Sequence, residues 1–75
     1  MSEKRSRAQI LQEMHRKHFD SDVLIEEVRR YGTVYKCNVH CHHRTFHGAG
    51  GSAAAARQQV LGRALRSIEK IDAVA

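Results

Sequence analysis

Between residues 35 and 42 the chain reads Tyr-Lys-Cys-Asn-Val-His-Cys-His, with apolar and polar side chains in alternation. Successive side chains of a β-strand point to opposite faces, so this run predicts a strand with one dry and one wet face. Tyr35, Cys37, Val39 and Cys41 form the dry face; Lys36, Asn38, His40 and His42 form the wet one. A sheet built on such a strand offers a core only one side, so every helix with an apolar stripe must pack there. The whole chain has 75 residues, and a chain of that size buries only about 60% of its unfolded surface, which implies one domain with a thin core.

The flanking segments supply the helices. Ser6-Arg7-Ala8-Gln9 has the S-x-x-Q form in which hydroxyl and amide satisfy each other's free N–H groups, so a first helix is predicted over about residues 7 to 18. Ile10, Leu11, Met14 and His18 share one of its faces. Phe19 to Asp22 reads as a turn, residues 23 to 30 as a β-branched strand, and Tyr31-Gly32 as a tight hairpin. After the alternating strand, His43-Arg44 reads as a second turn and Thr45-Phe46-His47 as a short third strand ending at glycines. Those glycines read as the device that allows a sharp strand-to-helix turn. Ser52 is the natural cap of a second helix whose stripe is Val60, Leu61, Ala64, Leu65, Ile68 and Ile71. The predicted fold is α+β, in the order α-β-β-β-α: a three-stranded antiparallel sheet with both helices on one face. Residues 1 to 5 are expected to be a flexible N-terminus and residues 6 to 72 the single domain.

Hydrophobic residues make up 41% of the chain, which fits a folded domain. Lys and Arg outnumber Asp and Glu by 13 to 8, giving a formal charge of +5, so a polyanion is the expected partner. No apolar run approaches the roughly 18 to 20 residues of a membrane span, so no membrane partner is expected. Two cysteines and the lack of a secretory apolar region suggest a reducing setting, cytoplasmic or nuclear.

This order and size resemble the double-stranded RNA-binding domain, and the resemblance spans nearly the whole chain. Tyr35-x-Cys37-x-Val39 is similar to the family's second strand, Phe46-x-Gly48-x-Gly50-x-Ser52 to its third strand and glycine turn, and Ala64-Leu65-x-x-Ile68 to the end of its second helix. Leu11-Gln12-Glu13-Met14 is similar to its first-helix motif. The resemblance implies recognition of A-form duplex shape, not sequence, across about 16 base pairs. Carried over by position, the RNA-contacting residues would be Gln12, Glu13, Arg16 and Lys17 on the first helix. Gly50, Gly51, Ser52, Ala53, Ala54 and Arg57 would contact RNA at the start of the second. Two departures weaken that surface: the loop between the first two strands shrinks to Tyr31-Gly32, and two family lysines are replaced by Ala53 and Ala54. Arg57 alone remains of three cations, a change that would cost roughly ten- to a hundredfold in affinity.

The run Cys37 to His43, with His47 behind it, raises the question of zinc. On a strand, Cys37 and Cys41 stand roughly 13 Å apart, too far for one tetrahedral ion, and both point to the dry face. His40, His42 and His47 are the feasible ligand set, with solvated surface histidines as the commoner outcome, and no cofactor is expected. His15 and His18 read as edge-of-core packing. No catalytic constellation stands out: neither cysteine has an orienting carboxylate or helix N-terminus nearby, and Glu26-Glu27 reads as a solvated pair with Arg29 and Arg30. Two function classes therefore remain, both non-enzymatic. One is a duplex-RNA-binding module. The other is a degenerate version of the same fold serving protein interaction, with itself or another protein, through the exposed helix faces or by pairing along a third-strand edge of Thr45, Phe46 and His47.

Overall fold

The computed structural model describes residues 5 to 74. Residues 1 to 4, most of the expected flexible N-terminus, lie outside the described residues. The fold is α+β, with helix α1 (Arg7–Phe19), strands β1 (Leu24–Ile25), β2 (Arg29–Tyr31), β3 (Val34–Cys41) and β4 (Arg44–Gly50), and helix α2 (Ala53–Val74). All pairings are antiparallel and all centre on β3, which has β4 along one edge and both β1 and β2 along the other.

Helix α1 begins as its sequence requires. Ser6 Oγ accepts from the Gln9 N–H at 3.2 Å, and Gln9 Oε1 accepts from the Ser6 N–H at 2.9 Å, closing the capping box. The helix ends at Asp20, which turns left-handed and returns its N–H to the Arg16 carbonyl.

The predicted strand over 23 to 30 is two segments in one row. Leu24 faces His40 and Ile25 faces Val39, whereas Arg29 faces Lys36. Glu26, Glu27 and Val28 therefore stand opposite only Cys37 and Asn38, which is a β-bulge. The extra residue reverses the alternation, so that Ile25 and Val28, three apart, both pack against the core. The row then crosses a two-residue turn at Gly32-Thr33, one residue later than expected, with Gly32 at φ +64°.

The second hairpin also differs from expectation. Cys41 pairs with Arg44, so the turn is His42-His43, not His43-Arg44. Both turn residues are left-handed, at φ 39° and 64°. Turns of that kind favour asparagine and glycine, so two histidines there need outside support.

Of the glycines that follow, Gly48 and Gly50 are part of strand β4, and only Gly51 lies in the bend, with Ser52, that leads into α2. At Gly48 a Cβ would lie 2.6 Å from the Val60 nitrogen and 2.7 Å from the Ala56 carbonyl oxygen; at Gly50 it would lie 2.8 Å from the Ala55 Cβ. Their absent side chains let α2 lie directly on β4, which sequence inspection had attributed to turn chemistry.

The core follows from this approach. Ala56, Val60, Leu61, Ala64 and Ile68 of α2 bury against Cys37, Val39 and Cys41, and Leu11 of α1 completes the cluster. Arg7 Nη1 donates to the Gln58 carbonyl at 3.2 Å, and Lys17 and His18 reach Asp72, so the two helices run parallel. The opposite face of the sheet stays open, with Leu24, Tyr31 and Val34 exposed beside Arg29 and Lys36. Substituting Gly48→Ala forces two backbones apart and is expected to cost about 2 to 3 kcal/mol, lowering the thermal midpoint by about 10 °C or more. Gly51→Ala, which meets open space, is expected to change the midpoint little in the same melt.

Candidate nucleic-acid interface

The first-helix residues expected at an RNA surface are largely engaged within the protein. Gln12 is a strap: its Nε2 donates to the Val23 carbonyl at 3.0 Å and its Oε1 accepts from the Val23 N–H at 2.8 Å. Glu13 pairs with Arg5, Arg16 pairs with Asp22 at 2.9 Å, and Lys17 pairs with Asp72 at 3.2 Å. These are exposed pairs that solvent screens, so they tether the charges weakly. They nevertheless match Arg16 and Lys17 with carboxylates, whereas Arg7, at the start of the helix, donates to the Gln58 carbonyl instead.

The second-helix residues are arranged otherwise. Ser52 Oγ accepts from the Ala55 N–H at 3.1 Å, and the Ala56 N–H goes to the Ser52 carbonyl at 3.1 Å. The Ala53 and Ala54 N–H groups are left as the exposed donors of the first turn, at the positive end of the helix dipole. Gly51 and Arg57 are exposed beside them, and Gly50 is half-buried under Ala55. Arg57 lies close enough to Cys37 for its charge to act on the thiol. Tyr35 pairs with Gly50 and Val34 with Tyr31, which puts the Gly32-Thr33 turn at this same end of the sheet.

Among the described residues, Arg7, Arg29, Arg30, Lys36, Arg44, Arg57, Arg63, Arg66 and Lys70 have no carboxylate partner. Three rest instead on aromatic faces: Arg30 over Tyr35, Lys36 over Tyr31 and Arg44 over Phe46, at 5.9, 5.3 and 6.0 Å from the ring centres. The charge is therefore segregated. Carboxylates neutralise the cations in the second half of α1, while Arg7 at its start and the cations of β2, β3, β4 and α2 have no such partner among the described residues.

The candidate metal ligands do not meet. His42 sits in the left-handed turn and faces the helices, stacked on Phe19 with ring centres 5.6 Å apart. His40 and His47 are on the opposite face, where His40 engages Glu26 and Thr45, and His47 Nδ1 donates to Asn38 Oδ1 at 2.7 Å. Among the described residues, no group of three His, Cys, Asp or Glu side chains is placed to hold a metal ion. Glu26 is held below its usual carboxylate range, first by the His40 hydrogen bond. The buried thiols are no better placed as ligands or nucleophiles, since burial raises Cys37 and pushes Cys41 up to about 11.

The expected dimer edge is partly occupied. Arg63 Nη1 donates to the His47 carbonyl at 2.8 Å, and Gln59 Oε1 accepts from the Ala49 N–H at 2.7 Å. Two backbone groups on the free side of β4 are thus satisfied by α2. Thr45 is exposed, and Phe46 points inward against the core.

His15 has a role that helical spacing alone did not reveal. Only 4% exposed, it donates through Nδ1 to the Ser21 carbonyl at 2.6 Å and accepts at Nε2 from the His42 N–H at 2.9 Å. That pair of bonds requires the neutral ring, and it ties the end of α1 to the second hairpin. Phe19 lies between His15 and His42, and Ser67 Oγ bonds His42 Nε2 at 3.1 Å. A cleft of about 420 Å³ opens beside this stack, bordered by His43 and Arg44.

Burial holds the His42 imidazole below its ordinary value of about 6.5. The unfolded chain therefore takes up a proton that the folded one resists, and stability falls as pH drops below about 6.5. His42→Asn, which tolerates the same backbone, is expected to lose less stability than the wild type between pH 7 and pH 5, as read from urea midpoints. Gln12→Ala is expected to cost about 1 to 2 kcal/mol in the same experiment at pH 7, because it removes both bonds to Val23. No protein-family model matches this chain, and no curated protein matches it in sequence.

Proposed function

We propose that the protein is a duplex-RNA-binding module. It engages the phosphate backbone with the end of the fold where the Gly32-Thr33 turn meets the start of α2. The observation that carries this reading is the charge segregation. The cations of β2 and the first turns of α2 have no carboxylate partner among the described residues, and the N–H groups of Ala53 and Ala54 point outward beside them. Both helices run parallel, so both positive dipole ends contribute on the same side.

The contact set differs from the one implied by resemblance alone. Arg30, opposite Tyr35 on the side of the sheet that α2 covers, and Arg57 take the leading role, together with the backbone of residues 50 to 54. Gln12 acts in folding, and Glu13, Arg16 and Lys17 form a neutralised flank. With short loops and few cations, binding is expected to be modest and governed by counterion release. The alternative of dimerisation by strand pairing is less favoured, because the Gln59 and Arg63 straps occupy the β4 edge and the bulge interrupts the other.

The test is a salt titration of binding to an RNA duplex of about 20 base pairs and to DNA of the same sequence. RNA is expected to bind more tightly, with affinity falling linearly in the logarithm of salt. Arg30→Glu combined with Arg57→Glu is expected to lower RNA affinity by about ten- to a hundredfold. Equal binding by this double variant and the wild type would overturn the proposal.

A further inference from the structure

The open face of the sheet carries a second basic feature, at the β4 edge. A hollow of about 300 Å³ is bordered by Lys36, Asn38, His47, Ala49, Gln59 and Arg63. Its origin is steric. Lys36 and Ala49 are directly opposed across β3 and β4, and Ala49 presents only a methyl where a longer side chain would fill the space between Lys36 and α2. Ala49 is therefore the floor, with cations on two sides.

The walls are held in place by contacts elsewhere. Lys36 is the exception: its Nζ leans toward β2, 5.3 Å from the centre of the Tyr31 ring, while its stem borders the hollow, and the ammonium reaches the space over Ala49 by swinging across β3. Arg63 is anchored at the rim by the bond from Nη1 to the His47 carbonyl at 2.8 Å, which leaves its other donors without a partner among the described residues. His47 is oriented by Asn38, and Gln59 by the Ala49 N–H. No carboxylate borders the hollow. Glu26, placed opposite Asn38 on the far row, is engaged by His40.

The geometry points to a binding site for a phosphate group in this hollow, held by the Lys36 ammonium and the Arg63 guanidinium over Ala49. The fit is chemical: a guanidinium anchored at the rim, an ammonium within reach, a neutral amide wall and no carboxylate among the described lining residues suit a tetrahedral oxyanion. The site lies at the β4 edge, between the open sheet face and the Gln59 and Arg63 side chains of α2, and includes none of residues 50 to 54. The phosphate group could come from an RNA strand running past the edge of the sheet, or it could be free.

The test uses the whole chain. Inorganic phosphate is titrated against the wild type, Ala49→Leu and Lys36→Gln, and followed by NMR at the Ala49 amide and the His47 ring, with chloride at matched ionic strength as the reference. Ala49 is exposed and its side chain leaves the core untouched, so Ala49→Leu fills the hollow while keeping every cation. Saturable shifts in the wild type that are lost in Ala49→Leu and weakened in Lys36→Gln are expected. Shifts no larger than those from chloride, or unchanged in Ala49→Leu, would overturn the site.

A second arm identifies the source. If an RNA strand supplies the phosphate, Ala49→Leu lowers duplex affinity about three- to tenfold and reduces the salt slope by about one. If Ala49→Leu binds RNA as the wild type does while losing phosphate, the site takes a free phosphate group. A wild type that binds phosphate but no duplex leaves the site standing and removes the RNA reading.

Discussion

The approach of α2 to β4 at Gly48 governs the rest of the architecture. With no side chain there, the Val60 and Ala56 backbone can settle within van der Waals distance of the strand. Ala56, Val60, Ala64 and Ile68 then reach Cys37, Val39 and Cys41 without a gap, which matters in a chain with only one layer of core. Helix α1 rests on this assembly more than on the sheet, contributing Leu11 to the core and joining α2 through Arg7 at one end and Lys17 and His18 at the other. A small change in the depth at which α2 sits would therefore be passed to both helices.

The two ends of the molecule are built by different chemistry. At one end, neutral aromatic and imidazole groups lock α1 to the second hairpin: His15, Phe19 and His42 stack in sequence, and His15 spends both ring nitrogens on backbone partners. This support explains how two non-glycine residues occupy a left-handed turn, a conformation that costs roughly 1 to 2 kcal/mol per residue. At the other end, glycine and alanine leave the backbone bare and the cations unpaired. Buried ring contacts hold the hairpin end and an open backbone marks the other, where the parallel helices direct the positive ends of their dipoles.

Much of this was legible in the sequence where periodicity or a short-range rule applied. The alternation from Tyr35 to Cys41 and the Ser6-Arg7-Ala8-Gln9 box each depend on neighbours within a few residues, and each placed its element correctly. The bulge left a trace, since apolar residues at 23, 25 and 28 change parity, but the trace is meaningful only once β3 supplies the partner. The glycines misled because close packing and turn formation both call for glycine, and only the position of α2 distinguishes them. At the candidate interface, sequence showed which residues carry charge but not which are neutralised. Gln12 and Val23 are eleven apart and Lys17 and Asp72 fifty-five, separations that no local pattern encodes.

The position of the two thiols has a wider chemical consequence. Cys37 and Cys41 are 1% and 2% exposed, on the same side of one extended strand, so they are sealed from small oxidants and their separation of roughly 13 Å rules out a bond between them. Their sulfur chemistry is therefore muted in reducing and oxidising surroundings alike. Cysteine content, commonly taken as a clue to compartment, carries no such information in this fold; here sulfur serves as compact, weakly polar filling beneath a helix, and the Cys37 thiol also donates to the Glu26 carbonyl in the bulge at 3.4 Å.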